Sequence, residues 1–328
     1  MKKTVALIMA VCLCLCFCGC TDKNEPAKNK DFTLNIYCLN GPTGMGMAKL
    51  MEKSDAEKTK GKYAFKVCTS ADQVTSQIIS GNAHIAAVPT NLASVLYSKT
   101  GGKIQTLCVN ALGVLYLLDT TGKVTSVKDL AGKTVYMTGQ AANPEYVFDY
   151  LLQNNGINPQ KDIKIVFVSD NQELASFMAT GKAEICVAPQ PVATVIQSKA
   201  DVKNAVSFSE EWEKVTKDSA LMMGCLVAQK SVIEEHPKEV EQFLAEYENS
   251  VKKVKESPEN AAPLMEKYGI VSPAAIAKAA IPKCGLAFVT GKEMQTELSG
   301  YLQVLYDANP ASVGGKIPAG DFWYEANK

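Results

Sequence analysis

Apolar runs of strand length alternate with segments of helical period from residue 32 onward. "FTLNIYCL", Phe32 to Leu39, reads as a buried strand; it stops at "NGPTGMG", and "MAKLMEK" then repeats its apolar positions at helical spacing. "YAFKVCT" follows as a strand, "SADQVTSQIIS" as a helix capped by Ser70 or Asp72, "AHIAAV" as a strand and "TNLASVLYSKT" as a helix. This βαβαβα order predicts a parallel sheet, because parallel neighbours need a crossover that a helix supplies.

The same order then starts again. "GKTVYMTG", "IKIVFVS" and "AEICVA" read as strands, and "ANPEYVFDYLLQNNG", "NQELASFMATG" and "PVATVIQSK" as the helices that follow them. Pro144 and Pro191 stand near the first turns of two of these helices, and Gly156 lies past the end of one. "SGNAHIAAVPTNLASVL" (80–96) and "TGKAEICVAPQPVATVI" (180–196) align without a gap, pairing Gly81 with Gly181, Ala83 with Ala183, Ile85 with Ile185, Pro89 with Pro189, Ala93 with Ala193 and Val95 with Val195. A repeat of this length exceeds the roughly 20 to 50 residues of a solenoid unit. The pattern predicts an α/β chain of two similar lobes, each a mainly parallel β-sheet flanked by helices.

A further strand is expected over Leu221 to Ala228, and mostly helices after it: "PKEVEQFLAEYENSVKKVKES", "PENAAPLMEKYG", "PAAIAKAAI" and "GKEMQTELSGYLQVLYDAN". These have no counterpart in the middle of the chain, so they are expected to return to the first lobe. Two crossover segments are placed near "YLLDTTGKVTS" and "KDSALMMG". The expected organisation is a signal peptide over 1–19, a tether over 20–31, lobe 1 from 32–117 plus 221–328, and lobe 2 from 118–220.

At the front, Lys2 and Lys3 precede an uncharged run from Thr4 to Gly19, and a polar stretch rich in Lys, Asn and Asp follows. That is the layout of a secretory signal. Its apolar core falls short of the about 20 residues that a membrane-spanning helix needs, although a retained anchor stays open. Gly19 directly before Cys20, with charged residues after, resembles the bacterial lipoprotein signal peptide. Phe17 and Cys18 depart from it, since an aliphatic and a small residue are usual there; Cys12, Cys14, Cys16 and Cys18 lack a small residue immediately before them. The resemblance implies a lipid on Cys20, a disordered tether from Thr21 to Asp31, and a place on the outer face of a bacterial cell membrane.

Net charge is zero, so no nucleic-acid partner is expected. All 34 basic residues are lysine, which removes the guanidinium fork that grips carboxylate, sulfonate or phosphate. Six cysteines lie beyond Cys20: Cys38, Cys68, Cys108, Cys186, Cys225 and Cys284. Their spacing forms no C-x-x-C or Cys/His ligand pattern, and most sit in apolar runs such as "EICVA" and "MMGCLVA". They read as small buried hydrophobes, with a disulfide between two of them left open in an exported chain. No metal and no cofactor is expected.

The lipoprotein start, "TSVKDLAGKTVYM" (125–137), the "SGNAHIAAVPTN" block and the helical segment from Ser231 to Gly269 together resemble the substrate-binding proteins of ABC importers. The likeness is to the nitrate, sulfonate, taurine and thiamine-precursor branch with the class II periplasmic-binding fold, and it covers nearly all of the chain after the tether. It implies a monomer whose two lobes close over a small-molecule solute and hand it to ABC permease and ATPase subunits. It is weak on the ligand, because this branch serves chemically unlike solutes.

Ligands of open α/β sheets sit outside the carboxyl ends of strands, where helix N-termini offer unpaired N–H groups and about half a unit of positive charge. That geometry makes Asn40, Gly41, Pro42, Thr43, Gly44, Met45, Thr69, Ser70, Pro89, Thr90 and Asn91 the candidate ligand-binding residues of lobe 1. In lobe 2 they are Gly139, Gln140, Ala141, Ala142, Asn143 and the loops at Ser169–Asn171 and Pro189–Pro191, including Gln190. Asn110 and Ser219 join them where the chain crosses between lobes. Thr43, Thr90, Asn143 and Gln190 read equally as helix caps. "NGPTGMG" lacks the Lys-Ser/Thr ending of a P-loop. Nearly every candidate is uncharged, so a neutral or mildly anionic organic solute is favoured over a cation, which would need carboxylates or an aromatic cage.

An enzyme is the rival class. Neither His84 nor His236 falls on a predicted cleft loop, and no Ser-His-Asp or Cys-His arrangement can be built. The fold also resembles enzymes of thiamine-pyrimidine and menaquinone-precursor synthesis, but the cysteine-rich iron motif of the former has no match after residue 20. A surface sensor that presents ligand to a receptor remains a second alternative.

Overall fold

The computed structural model describes residues 32–217 and 219–325. The signal segment 1–19, the lipidation candidate Cys20 and the tether 20–31 lie outside the described residues. Strands β1 (Thr33–Leu39), β2 (Lys62–Cys68) and β3 (Ile85–Pro89) are parallel neighbours in the order β2-β1-β3. They alternate with α1 (Pro42–Met45), α2 (Ala48–Asp55), α3 (Ala71–Ile79) and α4 (Thr90–Lys99). The second copy repeats the arrangement: β6 (Thr134–Met137), β7 (Lys164–Phe167) and β8 (Ile185–Pro189) are parallel in the order β7-β6-β8. Their helices are α5 (Asn143–Asn154), α6 (Asn171–Ala179) and α7 (Val192–Lys199). The sequence echo therefore falls on β3–α4 and on β8–α7.

Each parallel trio then gains antiparallel strands. β4 (Ile104–Ala111), β10 (Gly224–Gln229) and β11 (Leu286–Val289) complete sheet 1 in the order β11-β4-β10-β3-β1-β2. β5 (Leu115–Asp119) and β9 (Asn204–Ser207) complete sheet 2 as β7-β6-β8-β5-β9. β10 lies antiparallel to β3 and β5 antiparallel to β8, so both sheets share one local order and both are mixed overall. In each case the antiparallel strand is chain that has just arrived from the other lobe: β5 follows β4 after residues 112–114, and β10 follows α8 (Phe208–Val215) after residues 216–223.

The first crossing thus precedes the expected "YLLDTTGKVTS". Leu115 already pairs with Pro189, which puts residues 115–117 in sheet 2 instead of lobe 1. The second connection joins α8 to β10, and because β10 begins at Gly224 it includes Leu221, Met222 and Met223.

After β10 come α9 (Lys230–Glu235), α10 (Pro237–Glu256), α11 (Pro258–Lys267), α12 (Ala274–Ala280) and α13 (Gly291–Ala308). α10 packs on α2 and β11, and α13 on α4 and β4, which adds them to lobe 1. α13 also meets α5, and α12 meets α7, so these helices touch both lobes. The buried stripe of α13, Met294, Leu298, Tyr301, Leu302 and Leu305, recurs every three to four residues and faces inward. All six cysteines beyond Cys20 are buried, five of them in strands. Burial pushes the thiols of Cys38 and Cys284 up to about 12, so they pack as neutral small hydrophobes.

Candidate functional site

A cleft of about 430 Å³ opens between the lobes at the carboxyl ends of the strands. From lobe 1 it takes Leu39 at the end of β1 and Asn40 after it, Pro42 and Thr43 of α1, Ala71 at the start of α3, and Pro89, Asn91 and Leu92 at the β3–α4 junction. Ala142, Asn143 and Pro144 enter from the N-terminus of α5 in lobe 2, and Ala111, Val114 and Met223 from the two crossings. The N-termini of α3, α4 and α5 all meet this space, so the positive ends of three helices converge on it. Only four lining side chains, Asn40, Thr43, Asn91 and Asn143, are polar, and none is ionisable. The site can hold an apolar body and hydrogen-bond a few polar atoms without supplying charge.

Of the sequence candidates, Asn40, Pro42, Thr43, Pro89, Asn91, Ala142 and Asn143 come together here. Gly41 adopts φ 87°, which favours glycine, and its N–H donates to the Ile270 carbonyl at 2.8 Å. Gly44 is a packing residue, since an added Cβ would fall 2.5 Å from the Leu39 carbonyl oxygen. Met45 is buried beside it in α1. Ser70 Oγ caps α3 by accepting from Gln73 N–H at 3.4 Å, and the Thr69 N–H donates to Gln73 Oε1 at 3.1 Å. Both are exposed and outside the cleft lining. Gly139, Gln140 and Ala141 form a turn at the foot of α5, with Gln140 and Ala141 exposed. Ser219 accepts the Trp212 indole N–H through its carbonyl at 2.8 Å.

Thr90 and Gln190 do not line this cleft. They occupy equivalent places in the echo, one residue past the proline that ends β3 or β8, and both are buried. The Thr90 N–H donates to the Met223 carbonyl at 3.2 Å, and its hydroxyl to the Met222 carbonyl at 2.6 Å. The Gln190 N–H donates to the Val114 carbonyl at 2.8 Å, and its Oε1 accepts from the Thr194 hydroxyl at 2.7 Å. Each residue thus extends an antiparallel ladder by one step into a crossing through its backbone N–H.

Asn110 is also buried, directly behind the wall. Its Nδ2 donates to the Thr43 carbonyl at 2.9 Å and to the Tyr247 hydroxyl at 3.1 Å, tying α1 to β4 and α10. The apolar lining residues Leu39, Leu92, Ala111, Val114 and Met223 carried no polar signal that sequence reasoning could use. His84 stands at the opposite end of β3 from Pro89, where its Nδ1 accepts from the Asn35 N–H at 3.1 Å. Among the described residues no group of three His, Cys, Asp or Glu could hold a metal ion.

Residues 64–261 match the family model described as NMT1/THI5 like. No curated protein matches the sequence. Among solved structures, an ABC transporter from Parabacteroides distasonis superposes with a TM-score of 0.75 at 20% identity, covering 90% of this chain and 100% of that one. The periplasmic aliphatic sulphonate binding protein SsuA from Escherichia coli gives 0.71 at 12% identity, with 90% and 93% covered. The desulfurization enzyme DSZB gives 0.58 at 12% identity, with 85% and 93% covered. At these identities the likeness is one of fold, the two-lobed mixed α/β architecture described above.

Proposed function

Because the chain belongs to the NMT1/THI5-like family, we propose that it is an extracytoplasmic solute-binding protein that delivers a small neutral or mildly anionic organic solute to the permease and ATPase of an ABC importer. The observation that carries this reading is the cleft itself: an interlobe space at three helix N-termini whose polar side chains are amides and one hydroxyl. Helix N-termini favour partial or full negative charge on the ligand. The absence of any carboxylate or aromatic ring from the lining disfavours a cation. In this reading the lobes close over the solute, the chain acts as a monomer, and a lipid on Cys20 holds it to the outer face of the cell membrane.

The same lining argues against catalysis, although DSZB shows that an enzyme can use this fold. General acid–base and nucleophilic chemistry need His, Asp, Glu, Lys, Tyr or Cys beside the substrate, or a Ser or Thr with a base beside it. The cleft offers Thr43 alone, with no base in the lining.

A thermal-shift panel of matched neutral, anionic and cationic solutes tests the reading. A solute at 100 times its Kd stabilises the folded chain by about 2.7 kcal/mol, which raises Tm by roughly 4 °C in a chain of this size. Stabilisation by neutral or anionic members is expected. Stabilisation by cations alone, or turnover of a bound solute, would contradict it.

A further inference from the structure

Asn143, the polar side chain that the foot of α5 brings to the cleft, is bonded to a residue of α13 that does not line it. Tyr301, on α13, is fully buried, and its hydroxyl donates to Asn143 Oδ1 at 2.6 Å. Its ring is fixed on two sides: Trp212 of α8 packs against it with centroids 5.6 Å apart, and Met223 Sδ lies 3.9 Å from the hydroxyl. Burial pushes the phenol above its ordinary pKa despite the bond to Asn143, so the group stays a donor at every working pH. Asn143 is 6% exposed and belongs to the cleft lining. A carboxamide has one acceptor and one donor branch. With the oxygen committed to Tyr301, the branch left for the cleft is the Nδ2 amide.

We propose that Tyr301 is a positioning residue that orients Asn143 so that the cleft offers a hydrogen-bond donor at that point, selecting solutes that bring an acceptor there. This rests on the solute-binding reading of the cleft. α13 packs on α4 and β4 as well as on α5, so the bond ties the cleft amide to a helix that both lobes share. A second bond of the same kind, from Asn309 Nδ2 to the Tyr146 hydroxyl at 2.9 Å, ties the end of α13 to α5 beside it.

The test uses two uncharged aromatic probes of similar size, acetophenone as an acceptor without a donor and indole as a donor without a comparable acceptor. Binding to the full soluble chain is measured by NMR titration. Wild type is expected to favour acetophenone at least tenfold. Tyr301→Phe leaves the Asn143 amide free to turn and should bring the ratio close to one. Asn143→Asp keeps an oxygen for the Tyr301 hydroxyl but replaces the cleft amide by a second oxygen, and should reverse the preference toward indole. A purely structural role for Tyr301 would lower both affinities together and leave the ratio unchanged, which would overturn the proposal.

The orientation can also be read with no probe bound. Nuclear Overhauser contacts from the Asn143 amide protons to cleft-wall protons other than those of Met223 support the proposal, and contacts to the hydroxyl edge of Tyr301 alone overturn it. If wild type binds neither probe nor any member of the solute panel, the solute-binding reading fails while this measurement still decides what Tyr301 does.

Discussion

Replacing Gly224 by alanine should destabilise the fold and disturb the cleft together. Gly224 opens β10, opposite Ala111 of β4. A Cβ built there falls 2.8 Å from Asn110 Oδ1, 2.8 Å from Thr43 Cγ2 and 3.1 Å from the Ala111 Cβ. Little around it can yield. Asn110 is held by its bonds to Thr43 and Tyr247, and the Ala111 Cβ is fixed to a strand that pairs with Gly224 itself. The displaced group is therefore Thr43, which lines the cleft, or the backbone of the second crossing. Overpacking of this kind costs about 1–3 kcal/mol, to be read from the urea midpoint at unchanged slope. The control is Gly320→Ala, where an added Cβ meets nothing within 4 Å and the change should stay within about 0.5 kcal/mol. If Gly224→Ala is as stable as that control, the packing described around Asn110 is wrong.

Two further substitutions probe other parts of the structure. Thr90→Val removes the hydroxyl that serves the buried Met222 carbonyl and should cost about 1–3 kcal/mol in urea unfolding; a loss below about 0.5 kcal/mol would mean that this bond does not hold the crossing. Burial first, and then Glu145, raise the Asp149 carboxyl to about 6, and its Oδ1 has no hydrogen-bond partner. The folded chain therefore binds that proton more tightly than the unfolded chain, and wild type gains stability as pH falls through about 6 toward the ordinary carboxyl range. Asp149→Asn should be more stable than wild type at pH 8, with the gap closing by about pH 4; a gap that does not change with pH would remove the titration argument.

The doubled half-domain was legible because its signals are local. β1, β2 and β3, and then β6, β7 and β8, are short apolar runs ended by turn residues and followed by amphipathic helices. β4 and β5 were not found. "IQTLCVNALGVLYLLD" reads as one apolar stretch because both strands are central in their sheets and nearly all buried, so neither alternates. The three residues between them, Leu112, Gly113 and Val114, carry one glycine as a turn signal inside the apolar run, yet they take the chain from one lobe to the other. β9 and β11 are four-residue edge strands, too short to stand out from the loops around them.

The cleft divides in the same way. Its amides and Thr43 could be found because polar residues after strands have few places to go except helix caps and ligands. Its apolar wall could not, since Ala111, Val114 and Met223 look like core residues and become cleft residues only through the crossings. Thr90 and Gln190 follow the polar rule but are buried outside this lining, because ladder hydrogen bonds to a distant segment of chain leave no mark in local sequence.

Native mass spectrometry of the freshly purified soluble chain bears most directly on the solute-binding claim. The spectrum should show the protein carrying a single small uncharged or weakly anionic solute, lost on unfolding and regained when the extracted solute is returned. A retained cation, or a chain that takes up no solute from its own expression extract, would contradict it.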